Sequence, residues 1–383
     1  MSRGFKTGLF TSPHLVTIQE RIRLNNEPIP QEEFIEAFNF VEEKYESQKE
    51  NTFLHPSLLT HLMLMAYYYF QKNHIDVAII EVGLGGRLDY TNHFELITFE
   101  KAGIIKSGRP CVTSSTQEHK ALDVLREVAL EKSVSSTLFL FLKSDLIVVE
   151  PLETVAFPNN SKNFWSINAS LALEAVKLFL GETDNRLKDL NVISNLKLPG
   201  MQQVVWLSDR VRLFLDCAHT RESVANTVSW FKETSPSDHM RLLLFTLTGS
   251  RDPTPMVRDE FISCNFSGIY ISELDESGSI LSKLNLFRFY LNLKERPTSK
   301  ESAHQRCVDA WNSLSPSIPV SCVKNADEFI NRVLNQSLPL DDGRAKDAIL
   351  DSVSSHNVDI LVTGSVYLVG NVLKHLQSLE LVH

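Results

Sequence analysis

Two spacings of apolar residues alternate along the chain: short apolar runs of strand length, and longer stretches in which apolar positions recur at helical intervals. Residues 31–47 place Phe34, Ile35, Phe38 and Val41 on one face, and 57–72 carry Leu58, Leu59, Leu62, Met65, Ala66, Tyr69 and Phe70. Both stretches predict helices, the second the more buried. Residues 76–82 follow, apolar without alternation up to Glu81, which is the pattern of a strand covered on both faces. This run opens into Gly83-Leu84-Gly85-Gly86-Arg87. A further helix is expected over about 163–180, with Ala169, Leu173, Val176 and Phe179 on its apolar side. The break at 181–185 and the polar stretch to Asn195 make the expected linker. From about Leu198 a second unit is predicted, with strands at 211–215, 242–247, 268–272, 319–323 and 360–363. Residues 275–315 and 336–346, with their Ser and Pro clusters, read as loop-rich. Strands alternate with helices throughout, so the predicted class is α/β with mainly parallel strands.

Length agrees with two domains, because 383 residues are long for one core. Charge narrows the partners: a net charge of -9 argues against nucleic acid, whose phosphates call for clustered Lys and Arg. An anionic small molecule remains compatible with a few local cations. Cys111, Cys217, Cys264, Cys307 and Cys322 are scattered, with no pair at zinc spacing, so reduced thiols and a cytosol-like compartment are expected. The first residues contain no apolar core of signal-peptide length. The most apolar short run, 137–142, reads as a buried strand and is too short to cross a bilayer. No membrane partner is expected.

Chemistry-bearing groups fall where strands end, the place where open α/β sheets bind ligands. Ser12, in Thr11-Ser12-Pro13-His14-Leu15, follows a short Gly8-Leu9-Phe10 strand; it starts a turn or joins a Mg²⁺ coordination sphere with phosphate oxygens and water. Glu81 ends an apolar strand, so its carboxylate needs a partner or a cleft. The glycine-rich loop after it, with Arg87 and Asp89, lets backbone approach a ligand, and a hard-metal ligand is the better reading of Glu81. Lys101 lies two residues before a glycine break and is expected to face a cleft, whereas Lys106 reads as a solvated cation. Asp216 and His219 put two titratable groups at one strand end, with a helix cap as the alternative for Asp216. Residues 363–370, Thr-Gly-Ser-Val-Tyr-Leu-Val-Gly, permit either close strand–helix packing or an anion at a helix N-terminus.

In this order, these stretches resemble the folylpolyglutamate synthase family, in its eukaryotic form and with kinship to dihydrofolate synthases and Mur ligases. The carrying motifs are Gly8-Leu9-Phe10-Thr11-Ser12-Pro13-His14-Leu15, Glu20-Arg21-Ile22-Arg23, Glu81-Val82-Gly83-Leu84-Gly85-Gly86-Arg87-Leu88-Asp89 and Glu100-Lys101-Ala102-Gly103-Ile104. Asp216-Cys217-Ala218-His219, Thr248-Gly249-Ser250-Arg251-Asp252 and the 363–370 stretch continue it through the second half. The resemblance implies a Mur-ligase-like ATP- and folate-binding domain over 1–182 and a smaller Rossmann-like domain over 198–383. It implies ATP, Mg²⁺ and, as an optional second ion, a monovalent cation. The implied reaction is addition of glutamate to the γ-carboxyl of tetrahydrofolates through an acyl phosphate, in one-carbon metabolism. By position it implies Ser12 and Glu81 as metal ligands, and Asn168 and Asp216 as nucleotide contacts. Gly85, Gly86 and Arg87 would contact substrate. Lys101 (carbamylated in some members) and His219 would be catalytic. A cytoplasmic monomer is expected, a mitochondrial form being left open.

The sequence departs from the family at three places. Members carry a Gly-Lys-Gly-Ser type phosphate loop ahead of the Ser-Pro-His motif, and this sequence is expected to start after it. Only Phe94-Glu95-Leu96-Ile97-Thr98 stands where the family has a further strand and a metal-binding His. Pro199-Gly200-Met201 stands where the family reads Pro-Gly-Arg, whose Arg contacts phosphate. Two alternatives therefore stay open: a truncated relative that binds folate or a partner without ligase activity, and a dihydrofolate synthase.

Overall fold

The computed structural model describes residues 4–47, 57–82, 98–99, 101–134, 146–152, 162–181, 192–193, 196, 198–248, 251–273, 303–335 and 355–382. The expected strand at 137–142, the Gly83–Asp89 loop and most of the linker lie outside these residues. The chain divides into two compact units, one made of 1–81 with 198–383 and the other of 82–197. A boundary thus falls at Leu198, near the expected linker. The pattern along the sequence gives no hint that 1–81 groups with the C-terminal half.

In the first unit, β1 (Thr7–Phe10), β2 (Ile22–Leu24), β3 (Glu27–Pro28) and β4 (Val77–Ile80) form a four-stranded sheet in the order β3-β2-β1-β4. Only β1 and β4 run parallel, while β2 is antiparallel to both β1 and β3. This sheet is therefore mixed, against the expectation of mainly parallel strands, because β1 returns to β2 through a short loop rather than a crossover helix. Helices α1 (Gln31–Ser47) and α2 (Leu58–Lys72) cover it; Phe34, Phe38 and Val41 meet Leu62, Met65, Tyr69 and Phe70 in one core. Ser57 caps α2, accepting the Thr60 N–H. Ile79 of β4 is 53% exposed, so β4 is not covered on both faces as the sequence suggests.

The remainder of this unit is a six-stranded sheet in the order β11-β10-β9-β12-β8-β7. Its strands are β7 (Gln203–Trp206), β8 (Val211–Leu215), β9 (Met240–Phe245), β10 (Gly268–Ser272), β11 (Val320–Val323) and β12 (Val358–Thr363). All pairs are parallel except the edge pair β7–β8. Two cores cover its faces: one includes Phe329, Leu368, Val369 and Val372, the other Val228, Phe231, Phe261 and Trp311. Residues 303–314, expected as loop, form a helix with Cys307, Ala310 and Trp311 buried. Their apolar spacing of three and four is helical, and the surrounding Ser and Pro residues obscure it.

The other unit contains β5 (Cys111–Ser114) paired in parallel with β6 (Leu146–Val149), a helix at His119–Val134, and α4 (Lys162–Leu180), counting that earlier helix as α3. Ala102, Ile105, Val128 and Ala129 form its main core. Among the described residues, no helix is long and apolar enough to cross a membrane.

Candidate active site

Parallel pairing sets Phe10 opposite Ile80, so the residues following β1 and β4 emerge side by side. The Glu81 N–H donates to the Phe10 carbonyl at 2.9 Å, and the Ser12 N–H donates to Glu81 Oε2 at 2.9 Å. Glu81 is exposed and Ser12 half-buried. A hydroxyl and a carboxylate are hard oxygen donors, suited to a Mg²⁺-like cation whose other ligands are phosphate oxygens and water. Among the described residues no cluster of three or more His, Cys, Asp or Glu could hold a metal, so these two donors are a partial set.

The loop leaving Ser12 belongs to neither sheet. Arg21 N–H groups and carbonyl hold its two ends: Thr11 N–H donates to Arg21 O at 3.0 Å, and Arg21 Nε donates to His14 Nδ1 at 3.0 Å. Burial, and then the Arg21 charge, push the His14 pKa down to about 4, against a small opposing effect of Glu20. His14 is therefore neutral at pH 7, with its remaining proton on Nε2. Its ring meets Tyr367 edge-on at 6.5 Å. Leu15 packs against the core of the six-stranded sheet.

The helix after β12, α9 (Val366–Ser378, the intervening helices being α5 at Arg221–Thr234, α6 at Thr254–Asp259, α7 at Ala303–Leu314 and α8 at Ala326–Asn335), carries Gly370 directly beneath this loop. A Cβ at Gly370 would lie 1.8 Å from the Leu15 carbonyl oxygen. Close packing of a chain segment, rather than an anion, is thus what the small residue at 370 serves.

At the carboxyl end of β8, Asp216 is buried and fully engaged. Oδ1 accepts from Ala218 N–H at 2.9 Å and Thr227 Oγ1 at 2.9 Å, and Oδ2 accepts from Gln202 N–H at 3.0 Å. Burial raises its pKa, while these hydrogen bonds oppose the rise. The capping alternative does not hold, since Thr220 is the N-cap of α5, accepting from Ser223 N–H. His219 is exposed, with Nδ1 3.0 Å from the Cys217 carbonyl. A carbonyl only accepts, so Nδ1 carries the proton and Nε2 is left as an acceptor. Neighbouring strand ends close on the same loop: the Ala218 carbonyl accepts from Gly364 N–H at 2.8 Å and from Thr363 Oγ1 at 3.3 Å.

The structure brings Ser12 to Glu81, and Asp216 with His219 into one loop. Met201 sits in the turn that Asp216 holds through Gln202 N–H. Lys101 and Asn168 lie in the unit of 82–197, both exposed, Lys101 in a helical turn and Asn168 midway along α4. Lys106 is exposed and donates to the Gly103 carbonyl at 2.9 Å, as expected for a solvated cation. Gly85, Gly86 and Arg87 lie outside the described residues. Sequence reasoning missed His14 and Glu20 as loop-shaping groups. The Thr17-x-x-Glu20 spacing of a capping box was a signal that could have found Glu20.

No protein-family model matches the chain. The folylpolyglutamate synthase of Saccharomyces cerevisiae (strain AWRI796) is 26% identical over 419 residues, covering 96% of this chain and 71% of the relative. Among solved structures, Mycobacterium tuberculosis folylpolyglutamate synthase complexed with ADP and AMPPCP superimposes with a TM-score of 0.70 at 17% identity, covering 99% of this chain and 85% of that one. The bifunctional folylpolyglutamate synthase/dihydrofolate synthase of Yersinia pestis, complexed with AMPPNP and a Mn ion, gives a TM-score of 0.65 at 17% identity, covering 98% and 83%. At these identities the solved structures establish the shared fold.

Proposed function

Because the chain belongs to the folylpolyglutamate synthase family, we propose that it is an ATP-dependent ligase joining glutamate to the γ-carboxyl of a reduced folate. The observation that carries this reading is similarity to the yeast enzyme across 96% of the chain. In the proposed reaction the folate carboxylate takes the γ-phosphoryl group of ATP, giving an acyl phosphate and ADP. The glutamate amine then attacks the acyl carbon, phosphate leaves, and an amide remains. Little covalent chemistry falls to the protein, so its part is positioning and charge stabilisation.

Ser12 and Glu81 would hold a divalent cation, and their hard oxygens favour Mg²⁺. When bound, that ion offsets charge on the transferring phosphoryl group. His219, with Nε2 open, is suited to accept a proton from the attacking amine. Lys101 would supply a cation, or, if carbamylated, an acid ligand. Asn168 and the Asp216 loop are assigned to nucleotide, and Gly85, Gly86 and Arg87 to substrate. Residues 1–182 are assigned as the ATP- and folate-binding domain and 198–383 as the Rossmann-like domain. Five free cysteines favour the cytosol. A monomer and an optional monovalent cation complete the reading.

The 383 residues carry no Gly-Lys-Gly-Ser loop. The resemblance implies such a loop ahead of the Ser-Pro-His motif, so the test uses two proteins: the chain itself, and the chain extended at its N-terminus by a segment bearing that loop. Each is given ATP, Mg²⁺, labelled glutamate and either tetrahydrofolate or dihydropteroate. No incorporation into tetrahydrofolate by the unextended protein is expected, and incorporation by the extended one would support the ligase reading. Incorporation into dihydropteroate alone would favour a dihydrofolate synthase. Folate binding with no incorporation by either would favour a non-catalytic relative.

A further inference from the structure

We propose that Glu20 is the positioning residue of the Ser12–Glu81 pair; this rests on the reading of that pair as metal ligands. Residues 12–17 lie between β1 and the short helical turn at Ile18–Arg21, so no ladder partner is available to their N–H groups. Those of Ser12, Leu15, Val16 and Thr17 go to two carboxylates instead. Ser12 N–H donates to Glu81 Oε2 at 2.9 Å. Leu15 N–H donates to Glu20 Oε2 at 3.1 Å, and Val16 and Thr17 N–H donate to Glu20 Oε1 at 3.0 and 2.7 Å. Three consecutive amides thus converge on one carboxylate. An ionised acceptor makes each such bond roughly twice as strong as a neutral one.

The far side of the loop is fixed sterically. The Leu15 carbonyl lies against Gly370, and a Cβ at Gly200 would sit 3.3 Å from the Leu15 Cδ1. Glu20 therefore sets the 15–17 backbone in one geometry, with Leu15 seated on α9. Pro13 and His14 are the only residues between that anchored segment and Ser12. The position of Ser12 against Glu81 follows from where Glu20 holds residue 15. Glu20 touches neither member of the pair and acts on them through the backbone.

Two readouts test this on the 383-residue chain labelled with ¹⁵N-serine and, separately, with ¹⁵N-leucine and ¹⁵N-valine. The first needs no metal: the Ser12 amide, assigned by its loss in Ser12→Ala, is expected downfield because of its 2.9 Å bond to Glu81, and to move upfield in Glu81→Gln. Glu20→Gln is expected to move it upfield likewise, while leaving the amides of the six-stranded sheet unchanged. The second uses MnCl₂ alone, followed by paramagnetic broadening of Ser12. Here Glu20→Gln is expected to weaken binding about 10-fold, the size typical of groups that orient a ligand, and Glu81→Gln to abolish it. An unshifted Ser12 amide in Glu20→Gln would overturn the proposal. Mn²⁺ broadening that survives Glu81→Gln would overturn the metal reading instead, and the amide readout would still judge Glu20. If Glu20→Gln does not fold, the unmutated protein decides: the Leu15 and Val16 amides must exchange slowly, and free-loop exchange rates would sink the idea.

Discussion

At the carboxyl ends of β8 and β12 the chain is held mainly by its own backbone. The Ala218 carbonyl takes Gly364 N–H, Cys217 N–H reaches the Gly200 carbonyl, and the one carboxylate involved, Asp216, is buried. At the carboxyl ends of β1 and β4 the holding groups are the carboxylates of Glu81 and Glu20, the first of them exposed. The first arrangement is insulated from solvent and fixed in shape. The second depends on charge. The end at β1 and β4 lies against a wall that the first arrangement supplies, here α9 beneath Leu15.

The sharpest way to break this contrast is at Gly364. Its φ is +101°, and a Cβ there would lie 2.2 Å from the Thr246 carbonyl oxygen. Neither backbone can give, so Gly364→Ala is expected to cost about 4 kcal/mol or prevent folding. Urea denaturation of the soluble fraction measures it, and a change below about 1 kcal/mol would refute the rigid-wall picture.

Next in size is the amino end of the same sheet. Asp359, fully buried, receives Arg212 Nε and Nη2, both at 2.7 Å, and lies 3.0 Å from His239 Nδ1. Asp359→Asn strands a half-buried guanidinium, and a loss of about 3 kcal/mol is expected. Equal stability of the variant in urea would show that the cluster is dispensable.

The four-stranded sheet should be more forgiving. A Cβ at Gly8 meets the Phe70 ring at 2.7 Å and Ile75 Cδ1 at 2.8 Å, all side-chain atoms. Gly8→Ala is expected to cost about 2 kcal/mol through overpacking, less than Gly364→Ala. The reverse ranking in parallel melts would contradict the comparison.

The last effect is on pH dependence. His14 has a pKa of about 4 in the folded chain against 6.5 when free, so the unfolded chain takes up the proton first. Its contribution is present above pH 6.5 and is lost as pH falls toward 4. His14→Gln should flatten the acid limb of stability between those values, and an unchanged limb in denaturant titrations would count against it.

Much of the architecture was legible in the pattern of apolar residues. The edges of α1, β8 and β10 fall where periodicity places them, because each buries a regular face. The helix at 303–314 was hidden by the polar residues around it, and the antiparallel β1–β2 pair by its brevity. Of the candidate site, strand-end residues could be named from sequence, but their partners could not. Nothing in a linear pattern tells that Thr227, eleven residues on, holds Asp216, or that Leu15 needs a glycine at 370.

By itself the sequence determined the α/β class, the strand ends and the chemical types gathered there, since these follow from local spacing and from the cost of burying polar groups. Only the tertiary structure decided that Ser12 meets Glu81, that Asp216 is spent on backbone N–H groups, and that 1–81 is compact with 198–383. Those outcomes depend on strand register and on close backbone approach. Both are set by contacts between residues far apart in the chain, where the choice of partner is made by shape and desolvation rather than by neighbouring residues.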